Sequence, residues 1–242
     1  MPEPIANAPS TCDEELLCCL GPGFSLTASD PGRLVRIRDE VAYGFAALVD
    51  VAHAVSIFGS ARTPPDHPHY KLARTVATRL GALGFDIITG GGPGIMEAAN
   101  QGARDAGVRS IGLSIELAHE VVTNPFVDLS LQFKHFFVRK LMFVRYASAF
   151  VVFPGGFGTL DELFEALTLI QTEKIRHFPV VLAGSKHWRG LEQWIRERLL
   201  DPGMVSGDDA ELLVLADDPD EISELIGRWR RRQLESYRPA DS

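Results

Sequence analysis

Short apolar runs alternate with helically spaced apolar positions along most of the chain. The runs at 54–58, 85–89, 110–115, 149–153, 179–183 and 212–215 are apolar with little polar interruption, as in strands covered on both faces. A further short strand is predicted at 129–133. Between the runs, apolar residues recur every three or four positions. Leu72, Val76, Leu80 and Leu83 do so across 70–83, which Gly84 closes. The same spacing predicts helices at 95–106, with Gly107 beyond its end, at 137–147, 160–172 and 191–199, and from 220 onward. A first helix is predicted over 34–51, carried by Leu34, Ile37, Val41, Phe45, Leu48 and Val49. Strands alternating with helices predict a single doubly wound, Rossmann-like α/β domain, its parallel sheet covered by helices on both faces. The expected division is a mobile N-terminal arm over 1–30, rich in Pro, Ser and Asp, the domain over 31–235 and a tail over 236–242.

Two glycine turns interrupt this pattern at strand ends. Phe85-Asp86-Ile87-Ile88-Thr89 runs into Gly90-Gly91-Gly92-Pro93-Gly94-Ile95-Met96-Glu97, and Ala149-Phe150-Val151-Val152-Phe153 runs into Pro154-Gly155-Gly156-Phe157-Gly158-Thr159-Leu160-Asp161-Glu162. Glycines admit close approach to a backbone, and the first N–H groups of the following helix are free to donate to an anion. Neither turn meets G-x-G-x-x-G or G-x-x-x-x-G-K-[ST], so a dinucleotide fingerprint and a P-loop are both excluded. The pair fits a mononucleotide or sugar phosphate.

Composition narrows the classes. Among 242 residues, 24 Lys and Arg face 32 Asp and Glu, a net charge of −8 that argues against a nucleic-acid or anionic-membrane binder. The three cysteines, Cys12, Cys18 and Cys19, all lie near the start, with no Cys or His cluster at zinc spacing, so neither a disulfide framework nor a metal site is expected. The start lacks a basic segment followed by a long apolar run, and no window is apolar enough to span a bilayer, which makes the cytoplasm the expected location.

Glu162 is the leading acid–base candidate. Thr159-Leu160-Asp161-Glu162 also reads as a capping box, in which Thr159 caps the helix and Glu162 reaches back to the cap N–H. Arg139 and Lys140 open a helical stretch between Phe136-Phe137 and Leu141-Met142, a setting for a partly buried cation. Neighbouring helix positions diverge by about 100°, so the two need not share a target. His135, among phenylalanines, reads as a satisfied core histidine. Arg228-Trp229-Arg230-Arg231-Arg232 reads as an exposed helix face.

The two glycine motifs, with Phe58-Gly59-Ser60-Ala61-Arg62 and the Arg139-Lys140 pair between them, resemble the Lonely Guy (LOG) family of cytokinin riboside 5′-monophosphate phosphoribohydrolases, long mislabelled lysine decarboxylases. The resemblance runs from about residue 34 to 226. It implies hydrolysis of the N-glycosidic bond of a nucleoside 5′-monophosphate, AMP or an N6-modified AMP, to free base and ribose 5-phosphate. It implies catalytic roles for Arg139 and Glu162. It also implies substrate contacts from Ser60; from Gly91, Gly92, Gly94, Met96 and Glu97; from Gly155, Gly156, Phe157, Gly158 and Thr159; and from Glu120, Lys140 and Thr168. No cofactor is implied. The expected partner is the small nucleotide substrate, in a homodimer whose contact face includes Leu141, Phe143 and Val144. The alternative is a non-catalytic nucleotide or molybdenum-cofactor carrier, a class similar to this family.

Overall fold

A computed structural model describes residues 11–17, 26–116, 123–175 and 178–236. Seven strands, β1 (Ala54–Phe58), β2 (Asp86–Thr89), β3 (Ser110–Ile115), β4 (Leu129–Phe133), β5 (Ala147–Val152), β6 (Val180–Ala183) and β7 (Leu213–Ala216), form one sheet in the order β4-β3-β2-β1-β5-β6-β7. Every pairing is parallel. The order reverses between β1 and β5, so the loops leaving their carboxyl ends diverge and open a crevice, the place where such sheets bind ligands.

The predicted double cover is present. Because strand side chains alternate between faces, Val55 and Ile57 join one core with Val151, Ile87 and the helices α3 (Pro68–Ala82), α4 (Ile95–Asp105) and α9 (Pro219–Ser236). Ala54 and Phe58 join the other with Phe150 and the helices α2 (Leu26–Ala47), α5 (Phe136–Tyr146), α6 (Phe157–Gln171) and α7 (Ser185–Ile195). Each fully buried Ile, Leu or Phe in these layers contributes about 1.5–3 kcal/mol. A short helix α1 (Cys12–Leu17) precedes α2, and a single turn, α8 (Gly207–Ala210), precedes β7.

Three differences from the sequence reading have physical causes. α2 begins at Leu26, within the segment expected to be an arm, and ends at Ala47, whereas the helix is predicted over 34–51. Pro31 is the sixth residue of the helix, past its first turn, so it costs one intrahelical hydrogen bond that the rest of this 22-residue helix outweighs. The predicted contact face on α5 loses Phe143, which is fully buried in the core, while Leu141 stays well exposed. Arg230 is not simply solvated: its guanidinium lies 4.8 Å from the Phe85 ring centre and donates to the Leu83 carbonyl, closing the turn at Gly84.

Candidate functional site

The loop after β1 ties the two glycine turns together. The Ser60 N–H donates to the Pro154 carbonyl (2.9 Å), and the Ser60 carbonyl accepts from the Ile95 N–H (3.1 Å). One residue thus braces the turns after β2 and β5 into a single cleft. Gly94 makes this possible. Its φ is +69°, and a methyl group there would lie 2.4 Å from the Ser60 carbonyl oxygen. The turn after β2 is also held from behind. Asn124 donates to the carbonyls of Gly91 (3.1 Å) and Gly92 (2.9 Å) and to Asn100 Oδ1 (2.9 Å), and Thr89 Oγ1 accepts from the Gly91 N–H (2.9 Å). These buried polar groups satisfy one another, which rigidifies the turn.

The cleft encloses about 620 Å³, within the range of small-molecule sites. Of the expected contacts, Ser60, Met96, Arg139, Gly156, Phe157, Gly158, Thr159 and Glu162 line it. Gly155 lies beneath Thr159, whose Oγ1 would be 2.1 Å from an added methyl group. Gly91, Gly92 and Gly94 build the turn behind Met96 and Ser60. Glu97 points elsewhere: it lines a separate groove with Tyr70, Lys71 and Arg74, and together with burial it raises the Tyr70 hydroxyl above its ordinary pKa. Lys140 is also directed away, ion-paired with Asp161 and Glu165 at 3.0 Å each. Thr168 donates to the Phe164 carbonyl (2.7 Å) and lines a neighbouring shallow groove. Glu120 lies outside the described residues.

The capping box over Thr159–Glu162 is overturned. α6 begins at Phe157 with Gly156 as its N-cap, so Glu162 sits well inside the helix, with Oε2 buried and without a hydrogen-bond partner among the described residues. Glu162 is 7% exposed. Burial pushes its carboxyl up to about 7; Glu165 and Asp161 push the same way, while Lys140 and Arg139 pull it down. Arg139 comes from α5. Burial lowers its pKa from the ordinary guanidinium value, and Glu162 opposes the shift. Its Nε has no hydrogen-bond partner among the described residues. The guanidinium carbon lies 5.1 Å from the Phe143 ring centre and 5.9 Å from that of Phe136. Gly90 leaves room for it, since a methyl group there would come within 2.7 Å of Nη2.

The start of α6 lines the same cleft. The N–H groups of Phe157 and Gly158 belong to its first turn, where no intrahelical acceptor exists, and an added methyl group at Gly156 or Gly158 would meet nothing within 4 Å. Phe157 is 92% exposed at the rim. Sequence reasoning missed Phe58, Gly59, Ala61, Arg62, Gly90, Phe136 and Asp161 as cleft residues. All but Phe136 lie inside motifs already noted; Phe136 enters from the first turn of α5, ahead of Arg139.

The family model described as "Possible lysine decarboxylase" matches residues 96–226. The chain is 32% identical over 160 residues to a cytokinin riboside 5′-monophosphate phosphoribohydrolase of Mycobacterium marinum, covering 65% of this chain and 85% of the relative. It is 30% identical over 180 residues to the protein of that name in Mycobacterium tuberculosis, covering 72% and 94%. A pyrimidine/purine nucleotide 5′-monophosphate nucleosidase of Escherichia coli shares 34% identity over 142 residues, 52% of this chain but only 31% of that protein. In fold, the chain is similar to the molybdenum cofactor binding protein of Rippkaea orientalis (TM-score 0.56, 22% identity, 73% of this chain and 95% of that one). The motifs, the fold and these relatives agree: the chain belongs to the LOG family.

Proposed function

We propose that the protein hydrolyses the N-glycosidic bond of nucleoside 5′-monophosphates, AMP and N6-modified AMP foremost, releasing the base and ribose 5-phosphate. The observation that carries this reading is a buried carboxylate, Glu162, sharing a cleft with the half-buried Arg139 and the open first turn of α6. The phosphate seats on the N–H groups of Phe157 and Gly158, where the helix dipole favours an anion. Anchored there, the substrate places its ribose toward Glu162, so remote binding energy orients the reacting bond.

Breaking the C1′–N bond sends its electron pair to the base and builds positive charge on the ribose. An ionised Glu162 stabilises that charge and accepts a proton from the attacking water as its oxygen bonds to C1′. The departing base gains a proton, so the net change is addition of one water. A guanidinium is a poor acid, so Arg139 holds Glu162 and the leaving base by charge and hydrogen bonds rather than by giving up its proton. Phe136 and Phe157 offer aromatic faces to the base.

Two other readings fit less well. A pyridoxal-phosphate decarboxylase needs a lysine to carry its cofactor, and none lines the cleft among the described residues. A carrier needs the phosphate grip but no costly buried carboxylate. We further propose a homodimer using the exposed Phe137 and Leu141 face of α5. No helix among the described residues is long and apolar enough to cross a membrane.

The test is chromatography of the purified protein with AMP, and with adenosine as a control lacking the phosphate. Adenine and ribose 5-phosphate in equal amounts from AMP, and far less from adenosine, support the proposal. Intact AMP after long incubation, with N6-isopentenyl-AMP and GMP also intact, rejects it.

A further inference from the structure

The helix that carries Arg139 is held at its N-terminus by carboxylates from the two helices that precede the sheet. Glu40 of α2 reaches the start of α5 with both oxygens. Oε1 accepts from the N–H groups of Lys134 and His135 (3.3 Å for the latter), and Oε2 pairs with His135 Nδ1. His135 is the N-cap residue of α5, it is buried, and its carbonyl accepts the Arg139 N–H (3.2 Å). Asp13 of α1 adds a third cap, its Oδ2 accepting from the Phe136 N–H (3.0 Å). α1 is itself fastened to α2, because Glu15 pairs with Arg33 (3.3 Å) and takes Arg36 on both oxygens (3.0 Å each). Further along, Gly44 lets Met142 pack against α2, and the Arg145 guanidinium lies 4.3 Å from the Phe45 ring centre. α2 therefore splints α5 along its length, with the charged contacts gathered at the end one turn from Arg139.

We propose that Glu40 and Asp13 are positioning residues: they fix the N-terminal turn of α5 and so set where the Arg139 guanidinium stands in the cleft. Their helices lie outside the 96–226 segment that the family model matches. The physical argument is that the first N–H groups of a helix have no intrahelical acceptor, and carboxylates there both satisfy them and complement the helix dipole. Among the described residues the buried Arg139 Nε has no hydrogen-bond partner, and the two rings beside the guanidinium, Phe136 and Phe143, are themselves on α5, so its position follows that helix. The proposal rests on the hydrolase reading for its kinetic test.

Glu40→Ala, Glu40→Gln and Asp13→Ala are compared with wild type in the full chain, with folding checked by circular dichroism. Glu40→Ala should lower kcat on AMP about tenfold or more, since small displacements of a positioned group are costly. KM should change less than about threefold, because the phosphate grip on α6 is untouched. Glu40→Gln keeps an acceptor for the two N–H groups and should recover most of the rate. Asp13→Ala should lower kcat in the same way, and it carries the test if Glu40→Ala does not fold. A purely structural role would lower the melting temperature and leave kcat per folded molecule unchanged. Wild-type kcat in folded Asp13→Ala and in Glu40→Ala where it folds, or losses confined to KM, would overturn the proposal. If wild type cleaves no nucleotide, the hydrolase reading has failed separately, and amide exchange reads the clamp instead. Asp13→Ala should then speed exchange at 136–139 and not at 157–162; equal exchange in both would overturn it.

Discussion

Arg139 and Glu162 reach one cleft from neighbouring helices, α5 and α6, and each keeps a buried polar atom that no other described group meets. A folded chain rarely leaves two such groups unsatisfied, because each costs about 1–3 kcal/mol. The arrangement makes sense as a site that a substrate completes. Replacing Arg139 with Lys keeps the charge but loses the planar fork, so turnover of AMP should fall by about a hundredfold or more, measured by adenine release.

The titration of Glu162 fixes a pH dependence. Its carboxyl is held up to about 7, chiefly by burial, and the mechanism needs it ionised. kcat/KM for AMP should therefore rise with pH and level off above about 7. A profile flat from pH 5.5 to 8.5 in steady-state assays would contradict this role.

Lys140 should move that profile. It pairs with Asp161 and Glu165, and its charge draws the Glu162 pKa downward. Lys140→Met removes the cation and leaves two carboxylates uncompensated, so the rising limb should shift to higher pH. If Lys140 instead contacts the substrate, KM would rise with the limb unmoved.

Stability should respond to the same carboxyl, with a definite sign. A folded-state pKa raised from 4.5 to about 7 means the folded state holds a proton that the unfolded state has released between those values. Stability is thus lost as pH rises through this window, by roughly 3 kcal/mol at most. Glu162→Gln removes the loss, so relative to wild type it should gain in melting temperature between pH 4.5 and pH 8 in calorimetry. An unchanged difference across that range would refute the buried titration.

Gly94→Ala should be severe. The φ of +69° and the 2.4 Å approach to the Ser60 carbonyl leave no room for a methyl group, so about 1–3 kcal/mol or more of stability should go. Because Ser60 braces both turns, AMP affinity by calorimetry should fall with it. Wild-type melting and affinity would show that the brace is dispensable.

Much of the fold is legible in the sequence because parallel strands buried on both faces announce themselves. The strands at Ala54–Phe58 and Ser110–Ile115 coincide with the apolar runs. The start of α6 is less legible, since glycines disfavour a helix and Thr159 with Glu162 imitates a capping box; packing nonetheless draws Phe157 and Gly158 into the first turn. Met96 lines the cleft while Glu97 faces Tyr70, and Arg139 does so while Lys140 turns to Asp161, which follows from the divergence of adjacent helix positions. The pairing of Arg139 with Glu162 came from family resemblance, because no local spacing links two residues on separate helices. The contacts of Asp13 and Glu40 with α5 span 123 and 95 residues and leave no mark in the sequence.

The most direct measurement compares wild type with Glu162→Gln for adenine release from AMP, alongside AMP affinity by calorimetry. Wild type should release adenine, and the variant should bind AMP with similar affinity yet turn over at least about a thousandfold more slowly. A variant that releases adenine at the wild-type rate would contradict a catalytic carboxylate at Glu162.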